Sequence, residues 1–177
     1  ESGATAEALI RDALSRARMD HLPLAQRHLN AATDQIAPAL DTALLHRVAI
    51  HEAGHLLSAL LSSLPTPLGV WVTARGGRVE PAPLATMTSR LAKAKLRMCL
   101  AGREAETLVL GEVSNGAGVG PASDLAQATV LAAQMELNWS FGESGLVWQD
   151  VSQLDFRKLP GKTQQRIEGH LQEAETA

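Results

Sequence analysis

Tyrosine is absent, and the 177 residues include only three Trp and two Phe, too few for a platform on which nucleobases could stack. Cysteine is almost as scarce. The single Cys99 excludes an internal disulfide and suits a reducing compartment. Its neighbours Leu96, Met98 and Leu100 point to a buried structural thiol rather than a nucleophile. Charge of one sign is nowhere massed: sixteen basic and nineteen acidic residues give a net charge of -3 without a block of either, so no nucleic-acid partner is expected. No apolar run reaches the roughly eighteen residues of a membrane span. The Leu-rich stretch from Ala43 to Leu64 is broken by His46, Arg47, His51, Glu52 and His55, so no membrane contact by this chain itself is expected. Internal repeats and low-complexity tracts are missing. So is any Gly-x-x-x-x-Gly-Lys-Ser/Thr segment, which excludes ATP hydrolysis by that route. The first residue is Glu rather than Met, so a fragment or processed form is expected, with any targeting segment upstream.

What is present is mostly helical patterning, in a length that suits one well-cored domain with or without an appendage. From Ala6 to about Met19, apolar residues recur at helical spacing until His21-Leu22-Pro23, and Pro23 opens a second short helix that stops before Pro38. Asp41 is placed to cap a long third helix, which Pro65-Thr66-Pro67 ends. Leu68 to Ala74, with Val70, Trp71, Val72 and Thr73, reads as a strand. Gly76-Gly77 reads as a tight turn into a weaker strand near Val79, and Glu80-Pro81-Ala82-Pro83 as an edge or loop. Ser89 to about Gly111 is helical again, and Gly102 inside it predicts the close approach of another helix. A Gly-rich loop from Ser114 to Ser123 leads to a helix from Asp124 to about Asn138. No Lys follows its glycines, so phosphate binding is not expected. Trp139 to Pro160 is irregular, and a weak helix carries Ile167 and Leu171.

One segment specifies a chemistry. His51-Glu52-Ala53-Gly54-His55 puts two imidazoles about one helical turn apart, where both reach a single metal ion. Glu52 projects beside them, able to take the proton of a water that attacks a carbonyl carbon. With six His in the chain, a chance match to this pattern is expected on the order of 1% of the time. Its flanks Val48, Ala49, Ile50, Leu56 and Leu57 make the helix apolar on nearly every side. Burying His, Glu and His without partners would cost several kcal/mol, and a metal removes that objection.

Zinc in a catalytic site takes three protein ligands and keeps a fourth position open. His21, His28, His46 and His170 fit no metal spacing relative to the motif, which leaves Glu80, Glu104, Glu106, Glu112 and Asp124 as candidates for the third ligand. Glu104 and Glu106 lie on one helix. Asp124 stands at a helix start whose preceding glycines allow close backbone approach. Spacing leaves the choice open.

His51-Glu-Ala-Gly-His55, Leu100-Ala-Gly-Arg-Glu-Ala-Glu106, Gly111-Glu-Val with Gly116-Ala117, and Ser123-Asp-Leu-Ala-Gln-Ala-Thr129, continued by Ala132-Ala-Gln-Met135, resemble the FtsH-type ATP-dependent zinc metalloproteases over about Leu44 to Gly145. The resemblance implies a mainly α zinc-peptidase domain with a small β-sheet edge next to the active site. It implies one zinc held by His51, His55 and Asp124, with Glu52 as catalytic base. The strand Gly69 to Gly76 looks like the family's edge strand, where an extended unfolded polypeptide adds by backbone pairing. Residues 1–38 are similar to the end of an AAA+ ATPase lid, and residues 39–177 form the peptidase domain.

Further expectations follow from the family. The domain belongs to a homo-hexamer in the full-length protein and draws on ATP only through an ATPase absent from this chain. It works in the cytoplasm, at the inner face of a membrane reached through upstream segments. Two other readings are a catalytically inactive assembly or adaptor module with a structural metal, and a zinc enzyme for small amides or esters. The complete ligand set with Glu52 favours catalysis, and the edge strand favours a polypeptide.

Overall fold

A computed structural model describes residues 2–36, 41–73, 76–152 and 154–176. The expected stop at Pro38, the end of the first strand at Ala74 and the junction between residues 38 and 39 lie outside the described residues. Among the described residues, six α-helices and one two-stranded sheet make a mainly α fold: α1 (Ser2–Met19), α2 (Gln26–Ile36), α3 (Thr42–Leu61), β1 (Gly69–Thr73), β2 (Gly76–Glu80), α4 (Ser89–Leu110), α5 (Asp124–Leu137) and α6 (Gly161–Glu175). The chain divides into two compact units, Glu1–Leu45 with Thr73–Gly76, and His46–Val72 with Gly77–Ala177.

In the first unit α1 packs on α2 through Ala13, Ala17 and Ala32. His28, also buried, accepts the Ala25 N–H at Nδ1 (3.0 Å), so its Nε2 carries the proton that reaches Asp20 at 3.2 Å. α2 begins at Gln26, three residues past Pro23. Asp41 does cap α3, accepting the Ala43 N–H at 3.2 Å.

The second unit is built on α4, α5 and α6. Ala92, Leu96 and Leu100 of α4 meet Ala128, Leu131, Ala132 and Met135 of α5, and Ile167 of α6 closes the cluster with no exposed surface. α6 is weak by its own pattern. It forms because burying Ile167 supplies about 1.5–3 kcal/mol that the isolated helix lacks. α4 starts on Thr88, whose hydroxyl accepts the Leu91 N–H, and stops on Gly111, whose left-handed φ of 78° any side chain would strain. Gly76 and Gly77 are not a turn; they are the first residues of β2. Among the described residues no helix is long and apolar enough to cross a membrane.

Candidate metal centre

The two motif histidines lie one turn apart on α3, and α4 crosses directly beneath them. The crossing is close because two glycines face it. A Cβ at Gly54 would fall 2.3 Å from the Ala101 carbonyl oxygen, and one at Gly102 would fall 2.6 Å from Nε2 of both His51 and His55. This is the approach that Gly102 predicts from sequence. α5 supplies the third group. Ser123 caps it, accepting the Ala126 N–H at 3.4 Å, and Asp124 is its first residue.

Each imidazole is oriented through its far nitrogen. His51 Nδ1–H donates to Glu106 Oε1 at 2.8 Å and His55 Nδ1–H donates to the Met98 carbonyl at 2.6 Å. Both Nε2 lone pairs therefore point inward. The two Nε2 atoms are 3.1 Å apart, and Asp124 Oδ2 lies 3.1 Å from His51 Nε2 and 3.5 Å from His55 Nε2. With each ring's single proton on Nδ1, three acceptors meet with no donor among them, an arrangement that a cation, whether a metal ion or a further proton on an imidazole, makes favourable. A tetrahedral ion with bonds of about 2.0–2.1 Å separates its ligand atoms by about 3.3 Å. The observed spacings bracket that value, so the donor set fits zinc.

The charges respond to this geometry. Burial disfavours the ionised form of Asp124, yet hydrogen bonds from both imidazoles outweigh it and hold the carboxyl well below the usual carboxylate range. Burial also opposes protonation of His51, and its bonds to Asp124 and Glu106 overcome that and raise its pKa. Glu52 differs: burial raises its pKa, and the nearby imidazoles offset this only in part. Glu52 is buried, and β2 packs on it. A Cβ at Gly77 would fall 2.3 Å from Glu52 Cγ and 2.6 Å from its Oε1. The strand expected beside the site is Gly69 to Gly76; the strand that touches Glu52 is its partner β2.

The sequence model of peptidase family M41 matches residues 39–173. The chain belongs to that family. It is 33% identical over 158 residues to an ATP-dependent zinc metalloprotease FtsH of Hahella chejuensis, covering 80% of this chain and 25% of that protein. To an ATP-dependent zinc metalloprotease FtsH 1 of Symbiobacterium thermophilum it is 42% identical over 103 residues, covering 52% of this chain and 16% of that protein. To an ATP-dependent zinc metalloprotease YME1 homolog of Schistosoma mansoni it is 33% identical over 156 residues, covering 79% and 23%. The chain thus spans a quarter or less of the length of these relatives. The resemblance read from its motifs holds: this is an M41 peptidase domain of the FtsH type.

Among the described residues of this M41 domain, the cluster able to hold a metal is His51, His55 and Asp124. The other carboxylates weighed as ligands go elsewhere: Glu80 sits 3.4 Å from Arg78, Glu104 3.5 Å from Arg103, and Glu112 2.9 Å from Arg47. Glu106 stands behind His51. Fully buried, it accepts from His51, from Arg47 Nη1 (2.7 Å), from the Ser114 N–H (2.8 Å) and from the Ser114 hydroxyl (3.2 Å). Burial works against its charge, but the bonds from Arg47 and Ser114 and then that from His51 prevail and lower its pKa. Sequence reasoning missed this role. The available signal was its place one turn after Gly102, which already marked the approach of another helix. Cys99 packs against the core as expected, and burial pushes its thiol up to about 11.

Proposed function

We propose that this M41 domain is a zinc-dependent endopeptidase that hydrolyses peptide bonds of unfolded polypeptides, with His51, His55 and Asp124 as zinc ligands and Glu52 as general base. The observation that carries the reading is the convergence of three lone pairs at 3.1–3.5 Å beside a buried carboxylate. His51, His55 and Asp124 would hold the zinc, which when bound would supply Lewis-acid chemistry, polarising a carbonyl and lowering the pKa of a water to about 7. Glu52 takes the proton of the attacking water and passes it to the leaving nitrogen. His51 and His55, pinned through Nδ1, stay in the tautomer that can bind a metal.

An extended chain would enter by pairing with an edge of the β1–β2 sheet, where Val70, Trp71 and Val72 are exposed. Such pairing reads little side-chain identity, which suits unfolded substrates. The names of the relatives print ATP dependence, which supports coupling to an ATPase outside this chain; on the motif resemblance, that ATPase is of the AAA+ type, in a homo-hexamer on the cytoplasmic side of a membrane reached by other segments of the full-length protein. The test is Glu52→Gln. The variant keeps one zinc per chain and loses cleavage of unfolded casein, and a variant that still digests casein refutes the mechanism. A wild type that binds zinc yet cleaves nothing would mark an inactive module with a structural metal.

A further inference from the structure

α3 and α4 run antiparallel and come closest where Gly54 meets Ala101. Further along, the end of α3 and the start of α4 leave a groove of about 590 Å³ between them, with Leu61, Ser62 and Ser63 on one wall and Arg90, Lys93 and Arg97 on the other. The three basic residues recur at helical spacing, so one face of α4 turns three cations to the groove. That grouping works against the helix. Like charges one turn apart repel, a cation in the first turn opposes the helix dipole, and the first turn of α4 holds no acid to balance Arg90. A local arrangement that costs stability in the free chain points to a ligand that relieves it.

Of the three cations, Lys93 is balanced within the chain: its Nζ donates to Glu173 Oε1 at 2.9 Å and to Oε2 at 3.2 Å. Arg90 and Arg97 are exposed and make no hydrogen bond or ion pair among the described residues. The bond from Lys93, and at longer range the charge of Arg97, hold Glu173 below the usual carboxylate range, so this face already favours a carboxylate where one is present. The facing wall is apolar. Leu61 is 85% exposed, and Leu57 and Leu60, one turn back on the same side of α3, are 56% and 50% exposed.

These two walls select an occupant. A pocket for an apolar small molecule is walled mainly by hydrophobic and aromatic side chains, and no aromatic residue lines this groove. Nucleobases would find no ring to stack on. Phosphate would meet the cations and leave the leucines in water. A polypeptide with carboxylates beside apolar side chains satisfies both. We propose that the groove between the end of α3 and the start of α4 is a second binding site for polypeptide, taking a stretch of alternating acidic and apolar residues with its carboxylates on Arg90 and Arg97 and its apolar side chains on Leu61. Leu61 lies six residues past His55, about 9 Å along α3, which an extended chain spans in about three residues. Arg97 precedes Met98, whose carbonyl holds His55. The groove thus adjoins the metal centre, and the stretch it takes belongs to the chain being cut. That last step rests on the peptidase reading; the binding rests on the groove alone.

Binding is measured by fluorescence anisotropy on the zinc-loaded Glu52→Gln chain, which holds peptide without cutting it. The probes are a labelled peptide alternating Glu and Leu, and two counterparts with Gln for Glu or Ser for Leu. The Glu–Leu peptide binds at least tenfold more tightly than either counterpart. Replacing Arg90 and Arg97 together by Ser abolishes the preference for Glu over Gln, and Leu61→Ser abolishes that for Leu over Ser. Lys162→Ser, which removes an exposed cation at the far end of α6, changes neither. All four side chains are exposed, so the variants keep the fold. Equal binding of the Glu–Leu peptide and either counterpart overturns the proposal, as does an unchanged preference in the double variant. Tighter binding of pyrophosphate or of an oligonucleotide also overturns it, since that marks a general anion site. If the chain takes up no zinc, the metal-free chain decides by the same criteria, because the groove contains none of the three ligands.

A second arm reads cleavage by the zinc-loaded chain. Fluorogenic peptides carry the Glu–Leu or the Gln–Leu stretch about three residues before or after a common scissile bond. For one of the two placements, the double variant raises KM of the Glu–Leu peptide at least fivefold with kcat within twofold, and leaves both constants of the Gln–Leu peptide within twofold. A KM unchanged in both placements, or raised equally for the two peptides, overturns the role in substrate binding, as does a loss confined to kcat. A wild type that cleaves no peptide sinks the peptidase reading, and the anisotropy result still decides the groove.

Discussion

Glu106→Gln removes a charge without changing shape, and the surrounding donors dictate how the new amide must sit. Oε2 of Glu106 faces two groups that can only donate, the Arg47 guanidinium at 2.7 Å and the Ser114 N–H at 2.8 Å. Oε1 faces His51 Nδ1 at 2.8 Å and the Ser114 hydroxyl at 3.2 Å, both of which can also accept. The amide oxygen of Gln therefore takes the Oε2 side and its NH2 turns toward His51. That NH2 makes an acceptor of Nδ1 and moves the imidazole proton to Nε2, where it competes directly with the metal. Losing an outer partner of a metal-bound imidazole costs about 10–100-fold in metal affinity, or about 1.4–2.7 kcal/mol. A forced wrong tautomer belongs at the upper end.

Glu106→Ala serves as the contrast. It imposes no tautomer but leaves the Ser114 N–H and Arg47 without their buried partner, and Arg47 retains Glu112 at 2.9 Å. The order of effects therefore crosses. Gln lowers zinc affinity more than Ala does, whereas Ala lowers the stability of the metal-free protein more, by about 2–3 kcal/mol. Zinc affinity is read by competition with a chromophoric chelator at pH 7.5, stability by urea unfolding, and the tautomer by the nitrogen shifts of His51. If Glu106→Gln binds zinc as tightly as wild type, or less impaired than Glu106→Ala, then Glu106 does not set the His51 tautomer.

Elemental analysis separates the third-ligand candidates: Asp124→Ala loses zinc and Glu104→Ala keeps it, and loss only from the Glu104 variant would overturn the assignment. Gly102→Ala drives a methyl group to 2.6 Å from both Nε2 atoms, so it abolishes zinc binding and costs about 1–3 kcal/mol of stability; retention of zinc would mean that α3 and α4 can separate there. Removing zinc reverses the pH response between about pH 6 and 8. The raised pKa of His51 stabilises the metal-free protein below its ordinary 6.5 and is lost as pH rises through the shifted value, whereas zinc binding strengthens over the same range as the imidazole sheds its proton. Thermal melts with and without zinc must therefore move in opposite directions. Glu136→Gln destabilises the protein by about 1–3 kcal/mol at pH 7. Because the pKa of Glu136 lies below the ordinary 4.5, urea unfolding should show the deficit shrinking as pH falls through that lowered value.

The histidine pair of the candidate metal centre was legible because helices impose it. Two His four apart must share a face, and a glycine inside a long helix must be near something, so α3, α4 and the close approach of a helix at Gly102 followed from spacing alone, but not that the helix is α3. Asp124 was different. Periodicity placed it at a helix start and no further, and only the family resemblance tied it to His51, seventy-three positions away, and to His55. The hairpin was legible as a pair of strands but not in register. Gly76-Gly77 has the composition of a turn, and what makes Gly77 a strand residue is the Glu52 side chain, twenty-five positions earlier, occupying the space a Cβ would need.

Glu136 illustrates the remaining limit. On the sequence it is one more acid in an apolar helix, yet it is fully buried and accepts from the Ser144 hydroxyl at 2.6 Å, His170 Nε2 at 2.8 Å and the Ser144 N–H at 3.1 Å. A Cβ at Gly142 would overlap its carboxylate, so the segment around Gly142 wraps the carboxylate as closely as β2 wraps Glu52. Both carboxylates are fixed by backbone drawn against them at a glycine. What separates them is the partner set. Glu136 meets hydroxyl, imidazole and amide donors whose hydrogen bonds, though burial opposes them, lower its pKa and keep it a permanent anion that ties α5 to α6. Around Glu52 the imidazoles are engaged with Glu106, Met98 and Asp124, and burial, which they offset only in part, raises its affinity for a proton.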